Sequence, residues 1–189
     1  HVIDHFGGFW NPKIAEFESP AQGKYDDGSY EEMASADYVC GAALFMHGSV
    51  VKTIGLLEPR FFLFWEETDL CTRAKNARIE VWAAPKAKVW HKISASFTGG
   101  KPHTHYFWWR SRLLWVQRNC SKEEKMRIYR KLIIPELAKN IRHYLLRSLQ
   151  NRLRPNQKAK EKALRCKAAL TGALHYFQGR FGNGPKWLF

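Results

Sequence analysis

The apolar positions change their spacing along the chain. Residues 1–36 show no regular period: Gly7, Gly8, Pro12, Pro20, Gly23 and Gly28 interrupt acids and aromatics, which predicts an ordered but irregular, surface-facing connection. Residues 37–46 (DYVCGAALFM) form an apolar run of strand length, and Gly48–Ile54 followed by Gly55 predicts a short helix with a glycine cap. Phe61-Phe62-Leu63-Phe64-Trp65 is too apolar for solvent and reads as a strand end delivering the chain into Glu66-Glu67-Thr68-Asp69, from which a helical pattern runs to Ala77. Residues 79–83 and 86–91 read as short strands separated by Pro85, the second ending at His91, and residues 94–102 as a polar, glycine-rich loop. From Thr104 the period becomes helical, with Phe107, Leu114, Trp115 and Arg118 on the pattern, Ser121 and Glu124 as a capping box, and Pro135 and Pro155 as punctuation.

Composition makes this a globular chain, because 45% hydrophobic and 14% aromatic residues exclude disorder. Lys and Arg number 31 against 17 Asp and Glu, a net charge of +14 that favours anionic partners. The acids concentrate before Glu80, whereas residues 122–167 carry a dense series of cations, so the chain divides into two functional regions. Cys40, Cys71, Cys120 and Cys166 form no CxxC pair, which argues for reduced thiols rather than a zinc knuckle or a disulfide framework. No apolar run reaches the length of roughly 18 residues that spans a bilayer, and no signal peptide opens the sequence.

The sharpest chemical constellation is FFLFWEETDLCTR, residues 61–73, which puts three carboxylates on the first turn of a helix. One such carboxylate can take a proton from a hydroxyl nucleophile. The same acids would also complement the helix dipole, each by about 0.3–1 kcal/mol, with no catalytic role. Asp26-Asp27, before Gly28-Ser29, reads as a turn, and His103 and His105 read as loop or lipid-facing residues rather than metal ligands.

Four motifs then agree in order and spacing across residues 37–118: GAALFM at 41–46; Gly55-Leu56-Leu57 with Arg60-Phe61-Phe62; Glu66-Glu67-Thr68-Asp69-Leu70-Cys71 with Arg73; and Pro85 with Val89-Trp90-His91. Together they resemble the family 2 glycosyltransferases, especially the rhamnosyltransferase-like group. The resemblance implies an α/β fold, the C-terminal half of a GT-A nucleotide-diphospho-sugar transferase domain followed by an α-helical basic tail. Residues 1–103 would be the acceptor-side part, its nucleotide-binding half lying upstream, and 104–189 a helical, amphipathic, membrane-associated tail; the fragment alone is expected to be inactive.

In that family the motif usually reads Glu-Asp-x-Asp-Leu and its second acid is the base, which falls here on Glu67, with Glu66 as the alternative. Asp69 would orient the acceptor or pair with Arg73 at i,i+4. Gly41 and Ala42 would let a sugar approach the backbone, and Trp65 would stack on a sugar ring; close packing in the core is the alternative for all three. Arg73 is a further substrate-binding candidate. His91 would complete a Mg²⁺ or Mn²⁺ site begun by an upstream Asp-x-Asp motif, the ion bridging the diphosphate.

The implied reaction is inverting transfer of a sugar, rhamnose being the candidate, from a nucleotide-diphosphate sugar to a lipid-linked or polysaccharide acceptor in cell-envelope glycan synthesis. Tyr106-Phe107-Trp108-Trp109-Arg110 with Arg112, Trp115 and Arg118 has the composition of an interfacial helix on anionic lipid, and the later helices, 127–154 and 158–178, interleave cations with Leu and Ile. The expected location is cytoplasmic, peripheral on the inner face of the cell membrane. The rival classes are a non-catalytic membrane-binding module that keeps the fold and a basic nucleic-acid binder, the latter disfavoured by the absence of a zinc finger, RNP motif or GXXG loop.

Overall fold

A computed structural model describes residues 1–92 and 100–189, which fold as a mixed α/β chain in two compact units. The first unit is His1–Glu58 with the stretch that begins at Glu66; the second is Pro59–Trp65 with the helices that follow residue 100. Most of the predicted 94–102 loop lies outside the described residues.

In the first unit, the irregular opening contains a hairpin, β1 (Phe9–Asn11) against β2 (Glu16–Glu18), in register Trp10↔Phe17. Two further strands, β3 (Ala34–Ser35) and β4 (Trp82–Ala83), pair antiparallel. Asp37 ties the hairpin down by accepting the Trp10 backbone N–H at 2.8 Å while its other oxygen meets Lys75. Asp27 accepts both the backbone N–H and the hydroxyl of Ser29, so Asp26-Asp27 is the turn expected.

Helix α1 (Gly48–Ile54) begins at His47, whose ring accepts the Ser49 N–H, and ends at Gly55 with φ 76°, the glycine cap expected from sequence. Helix α2 (Glu66–Asn76) ends with Arg78 in the left-handed region at φ 61°, while Ile79 N–H bonds Ala74 carbonyl and Arg78 N–H bonds Lys75 carbonyl. That pair of bonds satisfies the last carbonyls of the helix.

Three predicted strands are not strands. Residues 37–46 make one bridge, Gly8 to Tyr38, and then turn through a 3-10 segment at Gly41–Ala43, closed by Ala43 N–H on Cys40 carbonyl. Consecutive small residues offer little side-chain surface to hold a pleat, and a short apolar run does not distinguish strand from packed loop. In residues 61–65, Phe62, Phe64 and Trp65 all have positive φ, and the Phe61 and Leu63 carbonyls accept the Ser111 hydroxyl rather than a neighbouring strand. Residues 86–91 follow a turn closed by Ala87 N–H on Ala84 carbonyl and pair through side chains instead, Lys88 with Asp26 and His91 with Asp4.

The second unit is helical: α3 (Pro102–Asn119), α4 (Lys122–Ile128), α5 (Ile134–Leu153) and α6 (Gln157–Phe177), with α6 packed against both α3 and α5. The Ser121–Glu124 capping box opens α4 as predicted. Pro135 does not break the chain of helices; a π-type turn at Tyr129–Ile133 precedes it, and the wider turn accommodates a residue that cannot donate its hydrogen bond. Helix α6 presents Ala159, Ala163, Ala168, Ala169, Gly172 and Ala173 as buried positions. These small side chains let it approach closely enough that a Cβ on Gly172 would stand 2.2 Å from the Tyr106 carbonyl oxygen.

Helix α3 corrects the expectation of an interfacial helix over 106–118. Tyr106, Phe107, Trp109 and Trp115 are buried, and so are Arg110 and Arg112. Two buried guanidinium groups need partners. Arg112 makes a two-pronged bond to Glu136 at 2.7 and 3.2 Å. Arg110 lies over the Tyr106 and Phe107 rings, 5.1 and 4.9 Å from their centroids, and donates to the Gly182 carbonyl at 2.8 Å. The aromatic-plus-cation composition therefore serves an interior. His103 is likewise buried and stacks on Phe189. No helix among the described residues is long and apolar enough to cross a membrane, and the four cysteine thiols are free.

Candidate functional site

The first turn of α2 gathers Glu66, Glu67 and Asp69 at the positive end of a helix dipole. Their surroundings differ. Asp69 is fully buried and pairs with Arg73 Nε at 3.0 Å, the i,i+4 contact that the spacing predicts. Arg73 in turn donates to the Ile54 carbonyl and, at 2.8 Å, to the Leu56 carbonyl. The Asp69–Arg73 pair therefore locks α2 to the exit of α1, and Arg73 is occupied by structure rather than held open for a ligand.

Glu67 has no such cation beside it. Its carboxyl is largely buried, and Oε2 has no hydrogen-bond partner among the described residues. Burial first, and the neighbouring Glu66 second, push its pKa up to about 7, against the opposing pull of its own N–H and that of Gly41. A carboxylate poised near neutrality holds and releases a proton in the range where most cells operate. Burial also raises the Glu66 carboxyl, and its Oε2 is likewise buried without a partner among the described residues.

Gly41 lies directly against Glu67: a Cβ there would stand 3.8 Å from the Glu67 side chain, an ordinary contact distance. Both Gly41 and Ala42 are exposed, so the backbone on this side of the acid is open to solvent. Three residues around the acid escaped the sequence reading. Burial raises the Tyr38 hydroxyl to about 12 and raises the Cys40 and Cys71 thiols, and the Glu67 charge adds to each. Three groups that stay neutral thus surround one that titrates. Their only sequence signal is proximity: Tyr38 and Cys40 flank the Gly41 turn, and Cys71 falls four residues after Glu67 on the same helix.

Two further sequence candidates, Trp65 and His91, have other partners. Trp65 is buried in the second unit against the rings of Trp108 and Trp115, at 5.2 and 5.8 Å between centroids, so it is a packing residue there. His91 is exposed, and its Nδ1 is 2.8 Å from Asp4 Oδ2. Among the described residues, no group of three His, Cys, Asp or Glu side chains converges in a way that could hold a metal ion. Two clefts open on the helical unit, and neither is lined by these acids.

Compared with models of known protein families, with curated proteins and with solved structures, the chain matches none.

Proposed function

We propose that this chain carries the acceptor side of an inverting family 2 glycosyltransferase of GT-A fold, with Glu67 as its general base. The observation that carries the reading is the Glu67 carboxyl: buried, with one oxygen unpartnered among the described residues, and titrating near 7. An inverting transfer needs one such group. Glu67 takes the proton of an acceptor hydroxyl, the hydroxyl oxygen forms its bond to the anomeric carbon, and the bond to the nucleotide diphosphate breaks on the opposite face, the leaving oxygen keeping the electron pair. The open backbone at Gly41 and Ala42 is the surface along which the acceptor would approach.

Asp69 and Arg73 act as positioning residues, because their pairing fixes the turn that presents Glu67. Glu66 raises the proton affinity of Glu67 by its charge. The donor would be a nucleotide-diphosphate sugar, with rhamnose the sugar the resemblance favours, and the acceptor a lipid-linked or polysaccharide chain of the cell envelope. The reading includes Mg²⁺ or Mn²⁺ with His91 as a ligand. His91 and Asp4 together supply two ligand groups where such ions take about six, so the described residues do not by themselves make a site. The ion's chemistry would be neutralisation of the departing diphosphate.

A location on the inner face of the cell membrane is supported by α5, whose Ile134, Ile141, Leu145, Leu146, Leu149 and Leu153 are all exposed among cations. The same face would serve a non-catalytic membrane-binding module, the second reading. The separating experiment follows product stereochemistry by NMR in the full-length protein, using a panel of UDP- and dTDP-sugars with and without Mn²⁺. A product of inverted anomeric configuration, lost in Glu67→Gln, supports the transferase; no transfer from any donor leaves the module.

A further inference from the structure

Helices α3, α5 and α6 of the second unit line a cleft of about 320 Å³. It gathers His143 and Arg147 from α5, Lys162 and Arg165 from α6, and His105 from α3, and no carboxylate is among the described lining residues. The acids nearest to these positions in sequence are engaged elsewhere. Glu136 accepts both prongs of Arg112, and Glu161, beside Lys162, accepts Gln157 Nε2 at 2.9 Å. Three cationic side chains therefore converge with no counter-charge among the described lining residues, which favours an anionic occupant.

Arg165 occupies space that Gly100 leaves open, since a Cβ on that glycine would stand 2.7 Å from both its Cζ and its Nη2. Its Nε is buried with no hydrogen-bond partner among the described residues, so the protein positions this guanidinium without saturating it. Arg147 gives Nη1 to Gln150 Oε1 at 2.8 Å, which fixes the plane of its fork and leaves other N–H groups to donate. Burial first, and the Arg165 charge second, lower the pKa of His105, so its ring meets the cleft as a neutral imidazole. The spacing of the donors sets the size of the occupant. His143 and Arg147 are four residues apart on α5, and Lys162 and Arg165 three apart on α6, so each helix presents a row roughly 5 Å long. A single phosphoryl group meets one end of such rows, whereas two linked phosphoryl groups reach both. Apart from the imidazoles no aromatic ring, and no leucine or isoleucine, is among the described lining residues. The exposed Ile141, Leu145 and Leu149 lie on the other side of α5 and take no part.

We infer that this cleft binds a diphosphate group, as inorganic pyrophosphate or as the diphosphate of a water-soluble ester, held between α5 and α6 by Arg147, Lys162 and Arg165. The two guanidinium forks donate to phosphate oxygens, and the lysine adds a point charge. With no apolar wall in the described lining, recognition rests on the phosphoryl groups and not on whatever they carry. The site lies wholly within the second unit and is independent of Glu67, of sugar transfer and of any membrane contact.

Titration calorimetry on the full chain, in metal-free buffer at constant ionic strength, tests this with pyrophosphate, orthophosphate, UDP and ADP. Pyrophosphate should bind at least about tenfold more tightly than orthophosphate, the effect of one further charge-assisted contact. Lys162→Gln, at an exposed position, and Arg165→Gln should each weaken pyrophosphate about tenfold. Arg142→Gln, also exposed but outside the cleft, should change it by less than about twofold. The two esters separate the sources: UDP and ADP bound within about tenfold of pyrophosphate put the diphosphate of an ester in the site, and weaker binding of both assigns it to the free anion. Pyrophosphate bound no more tightly than orthophosphate, or Lys162→Gln no more harmful than Arg142→Gln, would overturn the proposal. So would a difference of more than about tenfold between UDP and ADP, because the base would then be what is recognised.

Discussion

Replacing Glu67 by Gln removes a charge from a buried place without changing the shape of the side chain, and its effect on stability follows from the carboxyl alone. In the unfolded chain Glu67 titrates near its ordinary 4.5; in the folded chain burial and Glu66 raise it to about 7. The folded state holds this proton more tightly, so the associated stabilisation is fully present below about 4.5 and is lost as pH rises to about 7. At 1.36 kcal/mol per pH unit, that interval is worth about 3 kcal/mol. Glu67→Gln escapes the loss. Its stability relative to the parent should climb by about 3 kcal/mol between pH 4.5 and 7 and stay level above, which for a chain of this length is about 10 °C in Tm. Urea unfolding of parent and variant at half-unit steps from pH 4.5 to 8.5 measures the difference directly. A difference that does not vary with pH, or a variant less stable than the parent at pH 8, would refute the assignment of a proton-holding buried carboxyl to Glu67.

The remaining consequences concern packing and access. Arg73→Ala leaves Asp69 buried without its cation and frees two carbonyls, so it should cost about 3 kcal/mol in urea unfolding, part of it recovered by adding Asp69→Asn. Gly172→Ala drives a methyl to 2.2 Å from the Tyr106 carbonyl, which forces α3 and α6 apart and should lower stability by about 1–3 kcal/mol in thermal melts. Gly41→Ala meets Glu67 only at ordinary contact distance, so it should leave Tm unchanged while raising KM for the acceptor if that backbone is the approach surface.

Much of the local structure was legible because it rests on side chains near in sequence. The glycine that closes α1, the Ser121–Glu124 box that opens α4 and the Asx turn at Asp27 each act within a few residues, and all are present. The strands were less legible, since a strand needs a partner and an apolar run does not say whether one exists. At residues 61–65 the demand to bury Phe61 and Trp65 while turning the chain drove Phe62 and Phe64 into the left-handed region, which bulky residues rarely adopt. The acids of the site were visible as residue types at a helix start. What separates Glu67 from Asp69 was not, because the distinction lies in Arg73 neutralising one and in the neutral surroundings of Tyr38, Cys40 and Cys71 isolating the other. Helix α3 gave the clearest inversion: rings and arginines that compose like a lipid interface pack inward, because Glu136 and the faces of Tyr106 and Phe107 supply partners contributed by distant residues and by adjacent turns.

Whether Glu67 accepts the proton of a sugar acceptor is decided by the pH dependence of sugar transfer by the full-length protein and its Glu67→Gln variant. The expected parent rate rises as Glu67 ionises, is half-maximal near pH 7 and levels off about one unit above, where the variant is slower by about 10²–10⁴, the gap narrowing as pH falls. A variant that transfers as fast as the parent, or a parent rate that does not change between pH 5 and 8, would contradict that role.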